Sequence, residues 1–215
     1  MVAESIKKST GDTGTTFYFV RHGEIDANVE RKWHGSTDSA LNATGLDQVQ
    51  KMGVYISEKY PNISRIYSSP LKRTLKTAEA LAERANVPLE HEHGFREFSI
   101  GKLEGLPYET LAGEHRMFEY MANDHHYAVD GGESVIEVRD RFLSAMVRLK
   151  ALHHGEEIVI VSHGAAMAIL FAHFFEPAPY PFHDYHMANT GISKLVWGEK
   201  PVLEMFNLSD HTQKG

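Results

Sequence analysis

The chain has 215 residues and no cysteine. That absence excludes disulfides, thiolate nucleophiles and cysteine metal ligands together. It constrains the redox compartment only weakly, because a secreted chain can also fold without disulfides. Positive charge is in deficit. Lys and Arg total 22 against 29 Asp and Glu, a formal net charge of −7. Bulk charge therefore gives no support to a nucleic-acid or anionic-membrane partner. Long apolar runs are missing as well. The longest, AAMAILFAHFF at 165–175, is too short to span a bilayer and contains His173. The opening MVAESIKKSTGDTGTT lacks the apolar stretch of a signal peptide, and residues 1–15 read as a flexible tail. These absences predict a cytoplasmic protein.

Histidine, by contrast, is plentiful at 14 residues. The pairs in HEH (91–93), HH (125–126) and HH (153–154) sit in polar stretches and read as solvated surface groups rather than converging metal ligands. The 42% hydrophobic content is that of an ordinary globular domain with a sizeable core.

The order of elements is legible from periodicity. Residues 16–20, Thr-Phe-Tyr-Phe-Val, predict a buried strand. Leu46, Val49, Met52, Ile56 and Tyr60 recur at helical spacing, with Asn42 or Thr44 as the cap and Pro61 as the stop. Residues 63–70 predict a second strand. A helix follows Pro70, with Leu71, Leu75, Ala78, Leu81, Ala82 and Ala85 on one face. Next come a short strand at 87–91, a helix around 107–121 in an irregular stretch, and a long amphipathic helix marked by Val135 and Leu152. Ile158–Val161 is continuously apolar, as a central parallel strand requires. A buried helix at 165–175 follows. The Pro-rich segment 176–187 reads as a structured loop able to rim a pocket, and 192–198 with 202–208 as a closing strand pair. Strands alternating with helices predict an α/β domain with a mainly parallel sheet.

Three polar clusters fall at three strand ends. They are Arg21-His22-Gly23, Ser68-Ser69-Pro70 with Arg73 one turn on, and Ser162-His163-Gly164. Open parallel sheets bind ligands at the carboxyl ends of their strands, so neighbouring strands would bring two arginines and two histidines together. The fixed donor fork of arginine matches a phosphoryl group. Gly23 and Gly164 would let backbone approach the ligand. The helix starting near Ala165 would aim its amides at the anion. One neutral imidazole could attack phosphorus and form a phosphohistidine, with nearby arginines holding it neutral. The remaining cations would stabilise charge on the equatorial oxygens. The leaving alkoxide needs a proton, and Glu97, in the loop sequence FREFSIGKLEG, is the candidate acid. Each signal is weak alone; their order along the chain carries the reading.

In these motifs the sequence resembles the histidine phosphatase superfamily, in its phosphoglycerate-mutase-like branch, from about Phe17 to about Leu195. VRHGEIDAN, WHGSTDSALNATG (33–45), SSPLKRTLKTAEAL, FREFSIGKLEG, GGES (131–134) and VSHG (161–164) carry the resemblance. It implies His22 as the phosphorylated nucleophile and Arg21, Arg73 and His163 as a phosphate clamp. It implies Glu97 as proton donor and later activator of water. Asn28, Gly35, Ser36 and Gly164 would line the phosphate or substrate position. His34 stands where a glutamine is common and would change contacts beside the phosphate, and Leu103 replaces the usual aromatic. The implied fold is a three-layer sandwich, helices flanking the sheet, forming a single domain over 16–215 with a small cap at about 104–130. No metal or cofactor is implied, and the partner is a small phosphorylated substrate. Homodimerisation is left open.

Phosphatase, mutase and non-catalytic phospho-ligand binder are the competing functions. The binder is disfavoured because nucleophile, clamp and acid are all present. The segment from Glu97 to His163 is shorter than in typical glycolytic mutases, and GGES resembles phosphatase-type members. The expectation is a phosphatase of small phosphomonoesters, with phosphoglycerate mutase as the alternative. Met117, Phe118, Tyr120, Met121 and Tyr180 are candidates for an apolar wall.

Overall fold

The computed structural model describes residues 14–180 and 182–212. Of the expected tail at 1–15, residues 1–13 lie outside them, and Thr15 belongs to the first strand rather than to a tail. Strand β1 (Thr15–Arg21) starts one residue before the expected Thr16, because Thr15 is buried and its hydroxyl bonds the Lys150 and His153 carbonyls. The chain continues through α1 (Asp26–Val29), α2 (Ala43–Lys59), β2 (Ile63–Ser68), α3 (Lys72–Ala85) and β3 (Leu89–His91). Two short helices, α4 (Tyr108–Ala112) and α5 (Met117–Asn123), precede α6 (Val135–Leu152). β4 (Glu157–Ser162), α7 (Gly164–Phe175), β5 (Ile192–Trp197) and β6 (Pro201–Leu208) complete the fold.

The six strands are ordered β3-β2-β4-β1-β5-β6. β3, β2, β4 and β1 pair in parallel, while β5 runs antiparallel to both its neighbours. β1 is buried on both faces, and its alternation sorts the core. Phe17 and Phe19 pack with Phe142 of α6 and Phe171 of α7. Tyr18 and Val20 pack with Val49, Met52 and Ile56 of α2 and Leu81 of α3. A sheet with a helical layer on each face is the expected three-layer α/β sandwich. The registers deliver the site: Arg21 lies opposite Ser162, and Ser68 opposite Val161. Residues just beyond those three strand ends therefore emerge side by side.

Several boundaries have local causes. Asn42 Oδ1 accepts from the Gly45 amide at 2.8 Å and starts α2, although Leu46 on that helix is exposed rather than buried. The single helix expected around 107–121 is two, because Gly113 ends α4 and Arg116 takes a left-handed φ of 48° before α5. The four residues of α1 are too few to show a period. Of the histidine pairs, His153 is buried, not solvated; its ring bonds the Tyr67 hydroxyl at 2.8 Å. Among the described residues no helix is long and apolar enough to cross a membrane.

The GGES motif builds the start of α6. Ser134 caps α6: its Oγ accepts from the Glu137 amide, and the Glu137 carboxylate accepts from the Ser134 amide and hydroxyl. This reciprocal box satisfies two donors that the helix start would otherwise leave open. Ser134→Ala should lower the unfolding free energy by about 1 kcal/mol, with Ser134→Asn recovering most of it. Urea denaturation of the three proteins checks both.

Candidate active site

His22 follows β1 and is 3% exposed. Its Nδ1–H donates to the carbonyl of Gly23 at 2.7 Å. That bond fixes the tautomer and leaves the Nε2 lone pair free. Burial lowers the pKa of His22 well below the ordinary histidine value, and the Arg73 and Arg21 charges lower it further. The ring is therefore a neutral nucleophile at neutral pH. Gly23 does not face a ligand. A Cβ there would sit 2.8 Å from the Gly45 carbonyl and 2.9 Å from Val49, so glycine lets the loop close onto α2.

Arg73 is the largest fully buried side chain and sits in the first turn of α3. Asp38 accepts from the Lys72 amide at 2.7 Å and helps set that helix start. The Arg73 guanidinium donates to the carbonyls of His34, Gly35 and Thr37 and, through Nε, to Nδ1 of His163 at 3.1 Å. A cation that only donates makes Nδ1 of His163 the acceptor, so its Nε2–H donates to Ser69 Oγ at 2.8 Å. His163 is fully buried, with its pKa well below the ordinary value from burial first and then from Arg73. The His22 and His163 rings lie 5.3 Å apart. Desolvation also lowers the pKa of Arg73, to about 10, so it stays charged at neutral pH.

Arg21 closes the other side. Its Nη1 donates to the Met187 carbonyl at 2.6 Å and to His186 Nε2 at 3.1 Å. Its Nε is buried with no partner among the described residues. A Cβ at Gly164 would come 3.3 Å from that Nε, so glycine lets the guanidinium lie against the start of α7. Among the described residues neither Arg21 nor Arg73 has a carboxylate ion pair.

Two amides at the start of α7, those of Ala165 and Ala166, are already taken, which narrows the expected anion site to the Gly164 amide. Glu97 Oε1 accepts from Ala166 at 2.8 Å and from Phe98 at 2.9 Å, and Oε2 accepts from Ala165 at 3.2 Å. The physical reason is the helix dipole, which attracts the nearest carboxylate. Oε2 carries only the one long bond. The loop behind Glu97 is held by Arg141, which donates to the carbonyls of Gly94, Arg96 and Glu97 and pairs with Glu133.

A cavity of about 530 Å³ opens from this point. Arg21, His22, Asn28, His34, Glu97 and Gly164 all line it. Asn28 Oδ1 is occupied by the Ile25 amide and Asn189 Nδ2, which leaves its own Nδ2 for a ligand. Arg73 and His163 sit behind His22 and do not line the open space. Gly35 and Ser36 do not line it either. The Gly35 carbonyl binds Arg73, while the Ser36 amide and hydroxyl bind Glu104 at 2.6 and 2.7 Å. Phe118 and Tyr180 form part of the wall as expected. Met117 and Met121 are core, and Tyr120 faces outward, 44% exposed. Among the described residues no three His, Cys, Asp or Glu cluster as metal ligands.

The profile of the histidine phosphatase superfamily, branch 1, matches residues 17–208. The chain belongs to that superfamily. It is 30% identical to the uncharacterized phosphatase PhoE of Bacillus subtilis, over 92% of this chain and 96% of the relative. It is 32% identical to phosphoglycerate mutase-like protein 4 of Arabidopsis thaliana, over 91% and 86%. Among solved structures, phosphoserine phosphatase from Entamoeba histolytica in complex with 3-phosphoglyceric acid superposes with a TM-score of 0.82 at 30% identity. That match covers 93% of this chain and all of the other. Mycobacterial glucosyl-3-phosphoglycerate phosphatase gives 0.78 at 25% identity, covering 90% and 99%.

Three residues of this superfamily member carry no signal in the sequence. Asn189 Nδ2 donates to the His22 carbonyl at 3.0 Å, and His186 braces Arg21. Both lie on the segment leading to β5, where no strand-end pattern marks them. Thr77, which accepts from the Gly23 amide, is hidden one turn beyond Arg73.

His22 and His163 have a pKa below 6.5 when folded. Below pH 6.5 the unfolded chain binds protons that the folded chain refuses, so their contribution to stability is complete above that pH and is lost as pH falls. The urea midpoint should therefore drop between pH 7.5 and 5.5. An unchanged or higher midpoint would contradict the buried neutral pair.

Proposed function

We propose that this chain is a phosphomonoester phosphatase working through a phosphohistidine on His22. The observation that carries the reading is a neutral, tautomer-locked imidazole flanked by two buried guanidinium groups with no carboxylate of their own. A dianionic phosphoryl group supplies the missing negative charge. Arg21 offers its unpartnered Nε, and Arg73 and His163 hold the field behind the ring. Asn28 Nδ2, His34 and the backbone at Gly164 complete the surroundings. Gly35 and Ser36 act through the braced loop that seats Arg73.

In the first step Nε2 of His22 forms a bond to phosphorus as the ester P–O bond breaks. The leaving oxygen takes a proton from Glu97 Oε2. In the second step water attacks phosphorus, Glu97 accepts its proton, the N–P bond breaks, and phosphate leaves. These steps call on no metal or organic cofactor.

The mutase reading has support from the mutase-like relative in Arabidopsis. Incubation with 3-phosphoglycerate, with and without a bisphosphoglycerate primer, separates the two. A phosphatase releases phosphate from esters without the primer, whereas primer-dependent isomerisation without net release would establish the mutase. Glu97→Gln should slow alkyl phosphates by roughly 10²-fold or more and aryl phosphates with good leaving groups far less. Equal losses on both would remove Glu97 from the acid role.

A further inference from the structure

The cavity that contains the phosphoryl position is much larger and less polar than the chemistry alone needs. At about 530 Å³ it falls in the range that encloses drug-sized ligands. Five aromatic residues from four segments form its wall: Trp33, Tyr108, Phe118, and Tyr180 with Phe182. Trp33 lies 5.5 Å from Tyr108 and 6.2 Å from Phe118, and Tyr180 lies 5.3 Å from Phe182, centroid to centroid.

Two of the three polar tips on these rings are engaged away from a ligand. Trp33 Nε1 donates to the Phe98 carbonyl at 3.0 Å. The Tyr180 hydroxyl donates to the Phe118 carbonyl at 3.1 Å, which ties the Pro-rich loop to α5 and makes the wall continuous. Burial raises the pKa of Tyr108, with Glu97 adding to the effect, so its hydroxyl stays neutral. Beyond that one hydroxyl near Glu97 and Arg21, what these side chains offer is ring surface.

Charge is scarce along the same wall. Apart from Arg21 and Glu97, the permanently charged lining residue is Lys32, whose ammonium is paired with Glu30 at 2.7 Å. His34 and His186 have lowered pKa values, chiefly from burial, and are neutral at neutral pH. His183 sits at the rim, exposed, 3.6 Å from Asp184. A substrate body carrying an ammonium and a carboxylate would have to shed water against rings that return no ion pair.

We infer that the substrate of this site is a phosphomonoester whose leaving group is an extended apolar or aromatic body, rather than a short charged skeleton such as phosphoserine or phosphoglycerate. The inference rests on the phosphatase reading for the reaction, but the wall can be tested without turnover. Alkylphosphonates cannot be hydrolysed, and ethyl-, butyl- and hexylphosphonate differ only in apolar length. Calorimetric titration of the wild-type protein should show affinity rising roughly threefold per added methylene. Hexylphosphonate should bind at least tenfold more tightly than 2-amino-4-phosphonobutanoate, the non-hydrolysable phosphonate counterpart of phosphoserine. Phe118→Ser should halve the gain per methylene, and Tyr108→Ser, at a more exposed position, gives the same readout if the first variant does not fold. A flat series, tighter binding of the phosphoserine counterpart, or no binding by any chain length would overturn the inference. Release of phosphate from hexyl phosphate is scored separately. Its absence, with a rising affinity series, would reject the phosphatase reading while leaving the apolar leaving-group site established.

Discussion

Everything at the site depends on holding two guanidinium groups out of water without giving them a carboxylate. Leaving a buried charge unpaired costs several kcal/mol. Arg73 offsets part of that with three backbone carbonyls and the Nδ1 of His163. Arg21 has one carbonyl, one imidazole and a donor with no partner among the described residues. The uncompensated positive field has two consequences at once. It favours an anion in the pocket, and it adds to burial, the larger cause, in keeping the His22 imidazole unprotonated.

The nearby carboxylates show how that field survives. Three lie close enough to collapse onto the arginines, and each is tied down elsewhere. Glu97 is held by amides at the start of α7. Glu104 accepts from the amides and hydroxyls of Ser36 and Thr37. Asp38 accepts from the Lys72 amide at 2.7 Å and pairs with the Lys72 ammonium at 3.4 Å. The segment 34–37 is thus gripped from two sides, its amides by Glu104 and its carbonyls by Arg73. Glu97 stands at the cavity wall with one lightly engaged oxygen, a placement suited to exchanging a proton with a leaving group.

Much of this was legible in the sequence. Continuous apolar runs marked β1 and β4, and the polar clusters after β1, β2 and β4 pointed to a common rim. The parallel registers then bring His22, Arg73 and His163 together. Other features depend on contacts that span the chain and leave no periodic trace. The Glu97 carboxylate on α7 is such a contact, as are Asn189 under the His22 carbonyl and His186 against Arg21. Gly23, expected to give ligand clearance, instead lets a loop pack on α2, while Gly164 both lines the cavity and lets Arg21 lie on α7. Composition says that a residue is small; only the fold says what it makes room for. The break between α4 and α5 was invisible because it hangs on the left-handed conformation of Arg116, a residue with no special preference for it.

The central claim is that Nε2 of His22 carries the phosphoryl group during turnover. Its most direct test is to quench the working enzyme in alkali with a radiolabelled phosphomonoester and map the labelled peptide. The account predicts an alkali-stable, acid-labile phosphate on the peptide containing His22, and none in His22→Ala. Label on Ser69 or His163, or turnover with no labelled protein under conditions that trap the intermediate, would contradict it.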